Sequence, residues 1–186
     1  MHYLSELFET VGYTDKHTTH GYDKFYGPFL DSRKGLIKNF LEIGVAEFGG
    51  GCLAAFCRFL PDAQVHGVDV KKIPAHNRDS MVALPDNGTF HLGDAYSKDF
   101  INDTFGDTKW DVVLDDGPHT AESQVACLNL FHTRLAEQGV IMVEDVNPGN
   151  IPFIFQNFEG DKNRLSIIDR RPCPHSNWDE CIILYM

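Results

Sequence analysis

Short apolar runs recur along the chain at intervals that leave room for a helix between them. Residues 39–43 (NFLEI), 64–68 (QVHGV), 89–92 (TFHL), 110–114 (WDVVL) and 140–143 (VIMV) are each followed or closed by Gly or an acid. Continuous apolar runs of this length, bounded by turn signals, predict strands buried in a parallel sheet. Helix-length segments lie between them at 51–60, at 75–84 with a weaker pattern, at 97–105 and at 119–138. A further helix is expected over 151–158, followed by strand candidates at 164–169 and 180–185. The linker between the last two (RRPCPHSNWD) is too short for a crossover helix, so they must be antiparallel neighbours. The pattern predicts an α/β fold: a doubly wound, Rossmann-like, seven-stranded and mostly parallel sheet with an antiparallel last strand.

At 186 residues the chain is long enough for one core, and a single domain over 1–186 is expected. A formal charge of -11 disfavours attraction to a phosphate backbone or an anionic lipid surface, which argues against nucleic-acid and membrane partners. No apolar run is long enough to span a bilayer, and the first residues (MHYLSELFET) lack the basic-then-apolar pattern of a secretion signal. A cytoplasmic protein is the expectation. Cys52, Cys57, Cys127, Cys173 and Cys181 are odd in number and contain no CxxC pair, so reduced thiols are expected. Cys52, Cys57 and Cys127 sit among apolar residues, where cysteine serves as a small core hydrophobe.

A sheet of this kind binds its ligand beyond the carboxyl ends of the strands, where strand order reverses. Those ends read Glu42-Ile43-Gly44, Asp69, Gly93-Asp94, Asp115-Asp116 and Glu144-Asp145, an acid at every one. Any single acid there can cap the next helix. Five on one rim crowd negative charge and call for a cation or a hydrogen-bonding ligand. The turn after the first strand, Glu42 to Gly51, is rich in glycine and lets the backbone approach a ligand closely. Ala46 stands where a dinucleotide fingerprint has its second glycine, which argues against nicotinamide binding.

Glu42-x-Gly44, with Asp69 and then Gly93-Asp94 at the next strand ends, resembles the class I S-adenosylmethionine-dependent methyltransferases. The resemblance implies S-adenosyl-L-methionine as cofactor. The first turn would hold its methionine part, the acid ending strand two its ribose, and the strand-three end its adenine. The implied cofactor contacts are Glu42, Gly44, Asp69, Asp94, Ala95 and Asp115. Asp115-Asp116-Gly117-Pro118-His119 and Glu144-Asp145 are similar to motifs of the metal-dependent macrolide sugar O-methyltransferases of the mycinamicin type. That likeness implies Asp116, Glu144 and Asp145 as ligands of Mg²⁺ and His119 as general base. Oxygen donors without cysteine suit magnesium better than zinc.

Ahead of the sheet, residues 14–26 (TDKHTTHGYDKFY) have the composition of a loop. They resemble a cofactor-covering segment of the same branch, which implies a lid or cap over 1–38, a core over 39–186, and lid contacts at Thr14, Lys16, His20 and Tyr22. The first strand begins by Asn39, which leaves little material for a large acceptor domain. A small-molecule hydroxyl acceptor is expected, or a second copy completing the pocket, so a homo-oligomer stays open. Lys71, Lys72, His76 and Arg78 read as a solvated charged loop, and Phe153, Phe155 and Phe158 as core residues at helical spacing. The expected function is Mg²⁺-dependent O-methylation of a sugar or small polyol-like acceptor. The alternatives are a cephalosporin hydroxylase-like relative with the same fold, and a non-catalytic binding module.

Overall fold

Alternation along the strands divides the apolar residues between two faces of one sheet, and each face is covered by helices. The computed structural model describes residues 3–10, 14–18, 20–46, 49–72, 84–170 and 181–186. In chain order the elements are α1 (Leu4–Thr10), α2 (Asp15–Thr18), α3 (Asp23–Asp31), β1 (Asn39–Ile43), α4 (Gly51–Phe59), β2 (Gln64–Asp69), β3 (Gly88–Leu92), α5 (Lys98–Phe105), β4 (Trp110–Asp115), α6 (Ala121–Phe131), β5 (Leu135–Val146), α7 (Ile151–Asn157), β6 (Leu165–Asp169) and β7 (Cys181–Tyr185). Phe40, Val65, Val112, Leu114 and Met142 pack with α1, α3 and α4 on one face. Leu41, Ile43, Val113, Ile141 and Val143 pack with α5, α6 and α7 on the other.

The sheet has seven strands in the order β3-β2-β1-β4-β5-β7-β6. Pairs from β3 to β5 are parallel, and β7 runs antiparallel to both β5 and β6. This is the topology the sequence pattern predicts. Strand order reverses between β1 and β4, so the carboxyl ends of these two neighbours open the crevice.

Four expectations are corrected in detail. Residues 14–26 are largely helical rather than a loop, because Tyr22, Tyr26 and Leu30, spaced by four, bury one stripe against the core. The helix expected over 119–138 is shorter: Thr120 caps it, accepting the Ser123 amide at 3.1 Å, and α6 ends at Phe131. Residues from Leu135 onward belong to β5, where Leu135 pairs with Trp110 across a shift in register. β3 is an edge strand, and Leu92 is exposed. Phe153 is exposed as well, whereas Phe158 is buried as expected. The weak helix at 75–84 falls mainly on residues 73–83, outside the described ones, as do His76, Arg78 and Cys173. Cys52, Cys57 and Cys127 are buried free thiols, and Cys181 is buried as well. Among the described residues no helix is long and apolar enough to cross a membrane.

The α6 cap gives a direct test. Thr120→Ala removes the side-chain acceptor of the Ser123 amide and should cost about 1 kcal/mol. A lower midpoint of chemical denaturation with an unchanged slope would show it.

Candidate active site

The crevice at the switch point opens into a cavity of about 660 Å³, lined from the ends of β1 to β4 by Gly44, Asp69, Gly93, Asp94, Ala95, Tyr96, Asp116 and His119, among others. Backbone bonds tie these strand ends together: Gly44 N–H donates to Val68, Gly93 N–H to Asp69, and Asp116 N–H to Ile43. Gly44 has φ +86°, and a Cβ there would lie 1.9 Å from the Asp116 carbonyl oxygen. Only glycine lets the β1 and β4 ends come this close.

The adenine and ribose candidates face this cavity. Asp69 accepts the Ala46 amide at 2.8 Å on one oxygen and the Lys71 amide at 2.7 Å on the other, so it also fixes the turn after β1. Asp94 accepts the Tyr96 amide at 2.9 Å, and Ala95 is buried beside it. Two expected cofactor contacts lie beneath the surface instead. Glu42 is fully buried, and Asp115 is nearly so while accepting the Tyr96 hydroxyl at 2.6 Å. Neither lines the cavity, because β-strand alternation turns their side chains into the layers under the rim. Burial pushes the Glu42 carboxyl up to about 7 against the opposing pull of Lys16 and Cys52. It pushes Asp115 up to about 6 against the Tyr96 hydrogen bond.

A carboxyl whose pKa is raised by folding holds its proton more tightly when folded, so it contributes less to stability as pH climbs past the unfolded value toward the folded one. Glu42→Gln should therefore gain thermal stability relative to the parent between pH 5 and pH 8. Melting curves across that range test it, and a gap that narrows with rising pH would contradict it.

The acids after β4 and β5 converge with the N-terminal segment. Lys16, 2% exposed, donates from Nζ to Asp116 Oδ2 at 2.5 Å and also to Glu144 Oε1. Burial alone would lower its pKa, but Asp116 and Glu144 overcome that and hold the ammonium well above the ordinary lysine value. Tyr26 donates to Glu144 Oε2 at 2.5 Å, and Tyr22 donates to Asp145 Oδ1. Burial first, and the facing carboxylates second, push both phenols upward, so they stay protonated donors. His20 stacks on Tyr22 and places Nδ1 3.6 Å from Asp145 Oδ1. Thr14 and Lys16 line a small cavity of about 50 Å³ that reaches Asp116 and His119.

His119 Nε2 lies 3.7 Å from Asp116 Oδ1 and 3.8 Å from Asp145 Oδ2. Asp116, His119 and Asp145 thus offer three donor atoms within 4.8 Å of one another, a grouping able to hold a cation. Glu144, expected beside them as a ligand, is instead fully buried under Lys16 and Tyr26. His119 and Asp145 both adopt positive φ, 57° and 53°, although neither is glycine. Asp145 sits where the β5–β7 register shifts between Val143 and Val146, and this bulge turns its side chain toward the rim. Backbone strain of this kind concentrates at functional sites. Tyr96 carries no motif of its own, and only the acid it meets could have drawn attention to it.

The chain is 28% identical over 154 residues to the 8-demethyl-8-α-L-rhamnosyl tetracenomycin-C 2'-O-methyltransferase of Streptomyces olivaceus, a match covering 80% of this chain and 38% of that protein. Its fold is similar to that of MycE, a methyltransferase of the mycinamycin biosynthetic pathway solved with Mg and SAH, at a TM-score of 0.72 and 18% identity over 99% of this chain and 54% of that one. It is also similar to CalS11, a TDP-rhamnose 3'-O-methyltransferase of calicheamicin biosynthesis, with a TM-score of 0.61, 13% identity, and 98% and 92% of the two chains covered. The chain spans about half the length of MycE, and less than that of the tetracenomycin enzyme. The sequence pattern of the methyltransferase-domain family matches residues 41–146, more than half of the chain and the stretch from β1 to β5 that carries the crevice, and the chain belongs to that family.

Proposed function

We propose that this protein is an S-adenosylmethionine-dependent O-methyltransferase acting on a hydroxyl of a sugar or small polyol-like acceptor, with Mg²⁺ held at the rim and His119 as general base. The observation that carries this reading is the convergence of Asp116, His119 and Asp145 at the mouth of the cavity between Gly44 and Asp94. A volume of about 660 Å³ suits a cofactor of that size. The sugar class draws support from two similar proteins, both named for methylation of rhamnose hydroxyls.

When bound, the sulfonium cofactor supplies an electrophilic methyl group, and a divalent cation supplies positive charge beside the acceptor oxygen. The residues do the rest. Asp69, Asp94 and the Gly44 turn fix the cofactor along the rim, so that the acceptor need only be aligned behind the methyl group. Asp116 Oδ1 and Asp145 Oδ2 would hold Mg²⁺, which keeps several waters and needs only one or two carboxylates. Neutral His119 takes the hydroxyl proton at Nε2, and the two flanking carboxylates stabilise the imidazolium that results. His20, Tyr22 and Thr14 close over this end as part of the lid.

Calorimetric titration of S-adenosylmethionine into the protein, with Mg²⁺ and again after chelation, tests the class. Binding in the range of about 1 μM to 1 mM is expected. Absence of binding under both conditions would sink the enzyme reading and favour a binding module.

A further inference from the structure

We infer that Lys16 is a positioning residue, a resident cation built into the rim that takes one side of the acid cluster, makes Glu144 an anchor for the N-terminal segment, and confines any divalent ion to the side facing His119. The inference rests on the proposed placement of a divalent ion at Asp116 and Asp145, and it goes beyond it by assigning every oxygen of the three acids.

Six carboxylate oxygens meet at the ends of β4 and β5. The N-terminal segment engages four of them. Lys16 Nζ holds Asp116 Oδ2 and Glu144 Oε1, Tyr26 holds Glu144 Oε2, and Tyr22 holds Asp145 Oδ1. The other two, Asp116 Oδ1 and Asp145 Oδ2, are the ones that face His119 Nε2. The division follows exposure. Glu144 is fully buried and Lys16 nearly so, while Asp116, Asp145 and His119 keep part of their side chains exposed. A buried carboxylate is tolerated only when paired, and Lys16 with Tyr26 meets that need without a metal.

The consequence is a competition between two kinds of cation for the same acids. With the ammonium in place, a divalent ion has two carboxylate oxygens within reach, Asp116 Oδ1 and Asp145 Oδ2. Without it, Asp116 Oδ2 and Glu144 Oε1 are released, and the higher ligand charge binds a hard dication more tightly. Lys16 also couples the lid to the rim, since α2 carries the residue that pairs both strand ends.

The test is titration of Mg²⁺ alone, with no cofactor or acceptor, into the parent chain and three variants by calorimetry, with melting curves alongside. Lys16→Met should bind Mg²⁺ at least about tenfold more tightly than the parent, and its melting temperature should become Mg²⁺-dependent. Lys16→Arg, which keeps the positive charge, should stay within about threefold of the parent. Glu144→Gln, nearly isosteric, should also keep parental affinity, and it decides the matter if Lys16→Met does not fold. Loss of Mg²⁺ binding in Glu144→Gln would make Glu144 a ligand and overturn the inference. Lys16→Met binding no tighter than the parent would overturn it too, including the case in which neither binds at all. A parent that is silent while Lys16→Met binds would correct the metal assignment and still support Lys16 as the resident cation. None of these outcomes depends on methyl transfer.

Discussion

Replacing His119 by alanine is expected to lower methyl transfer by about 10²- to 10⁴-fold while S-adenosylmethionine affinity stays within about twofold of the parent. Removing the proposed general base raises the barrier for the proton that must leave, and the proposed cofactor cradle lies further along the rim, at Gly44, Asp69 and Asp94. His119 Nε2 faces the cavity mouth between two carboxylate oxygens, and no other described histidine holds such a position. Its backbone is held at φ 57°, so alanine alone would mix a chemical loss with a change in local strain. His119→Asn separates them, because asparagine adopts positive φ more readily than alanine and yet cannot serve as the base. Both variants should lose turnover alike under single-turnover conditions read by mass. An active His119→Asn would move the base elsewhere and reduce His119 to a bystander at the rim.

Much of this architecture is legible in the sequence because it rests on local pattern. The five parallel strands appear as apolar runs closed by glycine or acid, and the short final linker predicts the antiparallel pairing of β6 and β7. The rim acids are legible for the same reason, since each closes a strand. What stays hidden depends on distance along the chain. Lys16 meets Asp116 and Glu144 from 100 and 128 positions away, and nothing local in TDKHTTHGY specifies that pairing. The polar, aromatic composition of that segment reads as a loop, yet Tyr22 and Tyr26 spend their hydroxyls on Asp145 and Glu144 and bury their rings in the core. Glu42 and Asp115 show the opposite contrast. Their motif positions imply ligand contact, but strand alternation sends both under the rim. Positive φ at His119 and Asp145 leaves no compositional trace, because neither is glycine.

Gly44→Ala is expected to cost about 3 kcal/mol of stability and to weaken S-adenosylmethionine binding by at least about tenfold. Two separate penalties meet at this residue. Its φ of +86° is strained for any side chain, and a Cβ would stand 1.9 Å from the Asp116 carbonyl oxygen and 2.6 Å from its carbon. The obstacle is backbone, so no rotamer change relieves it, and the ends of β1 and β4 must part. That movement carries Asp116 away from His119 and widens the turn that Asp69 holds through the Ala46 amide. Gly21 supplies the control. It shares a positive φ of +62°, but a Cβ there would first meet the Arg170 guanidinium at 3.7 Å, an ordinary contact. Gly21→Ala should therefore cost only about 1 kcal/mol, from backbone conformation alone. Denaturation midpoints for the pair, with cofactor titrations of each, read the difference. Equal losses in the two variants would mean that positive φ accounts for the whole effect, and that the close approach of β1 and β4 is not what keeps the crevice in shape.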